Sequence, residues 1–91
     1  MLIALIAKDK PGALDIRKAN RDAHVAYLKD SGDTIMMAGP FLDEAGNMCG
    51  SLIILNVADM AEAKAWAAGD PYKAADLFDS VELKPWNKVL G

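Results

Sequence analysis

Cysteine is almost missing from this chain: Cys49 is the only one among 91 residues. No internal disulfide can form. With no histidine or second cysteine near it, Cys49 does not make a structural zinc site either. Histidine is equally scarce, represented by His24 alone. No run of basic residues exists, and the 10 lysines and arginines are mixed with 13 acids for a net charge of −3. That pattern leaves no electrostatic footprint for nucleic acid and no polybasic patch for a membrane surface. No apolar stretch approaches the length of a membrane span. The opening "MLIALIAKDK" is apolar for six residues after the methionine, without a basic segment ahead or a small-residue cleavage site behind, so it does not read as a secretory signal. A soluble protein of reducing cytoplasm is the expectation. Phosphate-binding glycine loops, metal triads and nucleophile elbows are also missing, which disfavours phosphoryl transfer and metal hydrolysis. No cofactor and no metal site are expected. No repeat, linker or low-complexity segment divides residues 1–91, which read as one domain.

What is present is 53% hydrophobic and 25% charged residues, a globular composition. "LIALIA" (Leu2 to Ala7) reads as a buried strand closed by a Pro11-Gly12 turn. Ala13 to Ser31 reads as a helix, with Gly32 where a C-terminal cap belongs. Thr34 to Phe41 is a second strand whose Pro40 marks an edge or a strand end. Gly46-Asn47 signals a hairpin into a third strand, Met48 to Val57. A second helix follows in residues 58–70, capped by Asp59 with Glu62 and stopped at Gly69. A turn or single helical turn over "PYKAADLF" leads to a last strand, Ser80 to Trp86. The order strand, helix, strand, strand, helix, strand is the α+β, ferredoxin-like βαββαβ arrangement: a four-stranded antiparallel sheet with two helices on one face. The first and third strands are apolar at consecutive positions, so both sheet faces want shielding. A second copy on the open face would supply it, as a homodimer; an ordinary monomer with an apolar patch is the plainer alternative.

The helical stretch "RKANRDAHVAYL" holds His24 and two arginines. Projected at about 100° per residue from Arg17, His24 falls at about −20° and Arg21 at about 40°, opposite the solvent face of Asp15, Lys18, Asp22, Lys29 and Asp30. Leu14, Val25 and Leu28 flank one side of this arc, Ile16, Ala23 and Tyr27 the other. The trio therefore points at the sheet. An arginine is always charged, and burying one without a partner is costly, so something anionic should face it: a protein carboxylate, a bound ligand, or both. Arg17 has the alternative of snorkelling from the helix start, one less open to Arg21. For His24 the alternative is a ring satisfied by a backbone carbonyl. Asp70, in "GDPY" and held in direction by Pro71, is a carboxylate that could orient His24, or simply a cap for the turn that follows.

The segments "RKANRDAH", "AGP" (Ala38 to Pro40), "GS" (Gly50, Ser51), "AWAAGDPY" and "VELKPW", in this order over nearly the whole chain, resemble the YciI-like, or YCII-related, family of small ferredoxin-like proteins. The resemblance implies a dimeric α+β barrel and a site centred on a His24–Asp70 pair, with Arg17, Arg21 and Ser51 nearby as substrate-binding residues. The reading adopted for these residues is cofactor-free acid–base chemistry, of isomerase, lyase or dehydrochlorinase, or hydrolase type, on a small anionic metabolite, with Asp70 orienting His24 and Arg21 holding the anion. Two other readings stay open: a non-catalytic binding or sensor protein that uses the same pocket, and a purely structural role with the arginines paired to Asp70. Ser51 could equally be an ordinary strand serine.

Overall fold

The computed structural model describes all 91 residues, Met1–Gly91. Four strands, β1 (Leu2–Asp9), β2 (Ile35–Leu42), β3 (Met48–Asn56) and β4 (Phe78–Trp86), are interleaved with helices α1 (Leu14–Asp30), α2 (Met60–Ala68) and the short α3 (Pro71–Ala74). The sheet order is β2-β3-β1-β4, and every neighbouring pair is antiparallel. This is the ferredoxin-like arrangement.

Strand alternation sorts β1 and β3 into two faces. Ile3, Leu5 and Ala7 of β1 join Ile53 and Leu55 of β3, with Val57, Ala63 and Trp66, in the main core under the helices. The opposite face carries Ala4, Ile6, Leu52 and Ile54 and bears no helix; Ala4 and Ile54 at its middle are buried, and Ile6 and Leu52 are half-buried. Met37 and Phe41, from the edge strand β2, and Trp86, at the end of β4, remain 51%, 39% and 41% exposed there.

Local chemistry sets the ends of the elements. The α1 chain leaves helical geometry at Gly32, whose φ of 54° is the left-handed conformation that a C-terminal cap requires. Asp59 caps α2 by accepting from the Glu62 N–H, and Glu62 Oε2 reaches back to the Ala58 N–H. Pro40 lies within β2 rather than at its end, opposite Ser51; an edge strand tolerates it because its missing N–H would face away from the sheet. The last strand starts at Phe78, two residues before the expected Ser80, because a register shift at Lys8 and Asp9 lets Phe78 pair with Asp9. α3 ends in a Schellman motif: the Leu77 N–H donates to the Tyr72 carbonyl and the Asp76 N–H to that of Lys73. Leu77 is thereby folded back onto Tyr72 and Ala13, in a second small core beside the first.

Candidate active site

The first residue to place is Arg17, one helical turn into α1. It is 2% exposed, so its charge is sealed from water. Its partner is Asp9, at the end of β1: Nε donates to Oδ2 at 2.7 Å and Nη2 to Oδ1 at 2.8 Å. Nη2 also donates to Ser51 Oγ at 3.0 Å. Burial works against the Arg17 charge, but the Asp9 hydrogen bonds and negative charge outweigh it and hold its pKa above the ordinary arginine value. This corrects the expectation that Arg17 would snorkel more readily than Arg21. The buried arc of α1 is centred on Arg17 and His24, whereas Arg21 is exposed and Ile16, expected on the buried side, is 40% exposed. Asp9 is the carboxylate that sequence reasoning missed. It follows an apolar run and reads as part of the turn, but it belongs to β1, two residues after Ala7 on the strand face that lies under the helices.

Two turns along α1, His24 is 7% exposed. Its Nδ1 lies 2.8 Å from Asp70 Oδ1. Asp70 is 1% exposed and also accepts from the Tyr72 N–H at 2.9 Å. The two sequence readings of Asp70, as helix cap and as histidine partner, are thus both realised by one oxygen. The other oxygen, Oδ2, is buried and has no partner. A carboxylate only accepts, so the Nδ1 contact calls for a proton on Nδ1. Nε2 is left without a partner in the chain. The arginines are not paired to Asp70, contrary to what a purely structural role would need.

Arg17, Arg21, His24 and Ser51 line one cavity of about 140 Å³ together with Tyr72. Apolar walls come from Val25 and Leu28 of α1, Ala38–Pro40 of β2, and Met48 and Ile53 of β3. A larger groove of about 620 Å³ lies on the other side of Asp9, between the β1–α1 turn and the β2–β3 hairpin. It contains no histidine. The smaller cavity is where a basic ring nitrogen, a cation and hydrogen-bond donors converge, and convergence of chemistry, not size, identifies the site. Arg21 makes no ion pair, so it is the cavity's one uncompensated cation. No group of three or more histidine, cysteine, aspartate or glutamate side chains is placed to hold a metal ion, and no helix is long and apolar enough to cross a membrane.

Comparison with known proteins agrees with this architecture. The YCII-related domain model matches residues 1–87. Protein YciI of Escherichia coli O6:H1 is 37% identical over 99% of this chain and 100% of its own length. An uncharacterized protein of Haemophilus influenzae is also 37% identical, with the same coverage. Among solved structures, the 5-chloro-2-hydroxyhydroquinone dehydrochlorinase of Burkholderia phenoliruptrix AC1100, in complex with 2,5-dihydroxybenzoquinone, superposes with a TM-score of 0.88 at 32% identity, covering 96% of this chain and 94% of that one. From the matched domain, the full-length relatives and the shared fold, the chain belongs to the YCII-related family.

Proposed function

We propose that this protein is a cofactor-free acid–base enzyme acting on a small, planar, oxygenated monoanion, of the hydroxyquinone or chlorinated hydroxyhydroquinone kind. The observation that carries this reading is the buried His24–Asp70 pair: the carboxylate engages Nδ1 and leaves Nε2 as the ring's free nitrogen, on a residue that lines the same cavity as Arg21. That arrangement suits a site where the carboxylate stabilises a proton arriving on the imidazole.

The charges of the cavity define the ligand. Arg17 is neutralised by Asp9 and the Asp70 charge faces His24, so with a neutral ring Arg21 balances Asp70 and the site as a whole is near neutral. A proton moved from the ligand to His24 leaves the site with a single positive charge, matched by the negative charge that the same transfer leaves on the ligand. Arg21 at the rim takes the ligand's oxyanion, and Ser51, already accepting from Arg17, is left with a hydroxyl proton for a second ligand oxygen. His24 Nε2 takes a proton from the substrate. In a dehydrochlorination Nε2 takes a hydroxyl proton and the ring tautomerises, a proton being placed on the carbon that bears chlorine; loss of a second hydroxyl proton then forms the quinone as chloride leaves with the electrons of the carbon–chlorine bond. Asp70 holds the imidazolium until the proton is released. The resemblance to the dehydrochlorinase, by fold and at 32% identity, supports this reaction class.

The test is chloride release from 5-chloro-2-hydroxyhydroquinone by the purified protein. His24→Ala is expected to lower turnover about 10²–10⁴-fold, the range for losing a positioned acid–base group. Turnover unchanged in His24→Ala would refute the mechanism. Binding of 2,5-dihydroxybenzoquinone with no chloride release would favour a binding or sensor protein instead.

The protein acts, on the same proposal, as a homodimer joined through the open sheet face and resides in the cytoplasm. Supporting the dimer are Met37 and Phe41 of β2 and Trp86 of β4, large apolar side chains left exposed on this face, of the kind that marks partner contacts.

A further inference from the structure

The proposed reaction gives Tyr72 no part, yet it is among the largest fully buried side chains and belongs to the wall of the catalytic cavity. Its ring stacks on the His24 ring with centroids 3.9 Å apart and planes 16° from parallel. Arg17, two helical turns from His24, places its guanidinium carbon 4.6 Å from the centroid of the same ring. Phe78 meets the ring edge-on at 5.9 Å, and the Schellman turn packs Leu77 against it. The phenol ring is therefore itself immobilised on several sides. An imidazole anchored at Nδ1 alone keeps one freedom, rotation about the hydrogen bond and the side-chain torsions that swings Nε2 across the cavity. A flat ring at stacking distance removes it.

We propose that Tyr72 is a positioning residue: its ring, not its hydroxyl, fixes the plane of His24, while Asp70 fixes its direction. Both restraints come from one tripeptide, Asp70-Pro71-Tyr72. The Asp70 carboxylate that meets Nδ1 also accepts from the Tyr72 N–H, and Pro71 sets the backbone between them at the start of α3. Carboxylate and ring thus hold a constant relation to each other wherever the tripeptide goes. The inference rests on the His24–Asp70 reading but concerns the ring's geometry, which is measurable without any substrate.

His24 is the only histidine, so its imidazole signals need no assignment by difference. The experiment is nitrogen-15 and proton NMR of that ring in the wild type, Tyr72→Phe and Tyr72→Met. In the wild type, the ring protons are expected upfield of an unstacked imidazole and the Nδ1–H tautomer is expected to dominate. Tyr72→Phe keeps both features. Tyr72→Met, of similar bulk without a flat face, is expected to raise the share of the Nε2–H tautomer about two- to tenfold, the factor that an aromatic pair's strength represents. A ring serving packing alone would lower stability in Tyr72→Met without moving the tautomer ratio. That outcome overturns the proposal, as does a Tyr72→Phe spectrum displaced as far as that of Tyr72→Met, which would assign the role to the hydroxyl. Should Tyr72→Met not fold, unshifted ring protons in the wild type would overturn it by themselves. Absence of chloride release, with these spectra as expected, would count against the proposed reaction and not against the clamp.

Discussion

Arg17 and Arg21 differ by one turn of helix and by nearly everything else. Arg17 is a structural cation: sealed, held in a bidentate grip by Asp9, and lying against Tyr72. Asp9→Ala strands its guanidinium, and breaking a buried pair in this way is expected to destabilise the fold by about 3–5 kcal/mol in urea titration. Arg21→Ala at the exposed rim is expected to change stability by no more than about 0.5 kcal/mol. Equal losses in the two variants would contradict the assignment of roles. Both tyrosines give a pH prediction. Burial pushes the phenols of Tyr27 and Tyr72 above their ordinary value; the Asp70 charge adds to the shift at Tyr27, while Arg17 partly opposes it at Tyr72. A folded pKa above the unfolded one contributes stability that is whole below the unfolded value and lost as pH rises through the folded one. Stability should therefore hold up to about pH 10 and fall beyond it, and tyrosinate absorbance should rise only above that point in the folded protein. Ordinary titration of both phenols would contradict their burial. At this scale the sequence was partly legible. Periodicity put His24 and Arg17 on the inner face, but could not rank two arginines about 40° apart on a helical wheel, because that ranking depends on where Asp9 lies.

Among the elements, the α2–α3 corner does the most to build the site, since it delivers Asp70 beneath α1. Tyr27 Oη donates to the Trp66 carbonyl at 2.7 Å, and Trp66 Nε1 donates to Ser31 Oγ at 2.8 Å, tying α1 to this corner. Gly69 was legible as a helix stop, though its φ of −89° is ordinary. It is glycine because of a close approach: a Cβ there would lie 2.5 Å from Tyr27 Oη. Gly69→Ala is expected to cost about 1–3 kcal/mol through overpacking. Combining it with Tyr27→Phe, which removes the obstructing oxygen, should give less than the sum of the two single effects in a double-mutant cycle. Strict additivity would show that the contact is not the cause. The element order and the hairpin turns could be read from glycine, proline and apolar runs, which act locally. The start of β4 could not, because pairing with β1 across the sheet decides it.

For the whole molecule, the helices cover one sheet face and leave Met37 and Phe41 of β2 and Trp86 of β4 exposed on the other. That imbalance was visible in the sequence as unbroken apolar runs in the first and third strands. What fills it is beyond any one chain's sequence pattern. If a second copy does, sedimentation should give a dimer, and Leu52→Glu, which places a charge at the centre of the face, should give folded monomer. A wild type that stays monomeric at high concentration would contradict the proposed self-association. The site itself depends on every layer at once: β1 ends in the carboxylate that sequesters Arg17, β2 and β3 wall the cavity, and the corner after α2 holds the imidazole. The most direct test of this account is the affinity of 2,5-dihydroxybenzoquinone for the wild type and for Arg21→Ala, measured by calorimetry. The account predicts saturable binding weakened by at least about tenfold in the variant, as expected for a lost charge-assisted hydrogen bond. Equal affinity in the two proteins, or no saturable binding to the wild type, would contradict it.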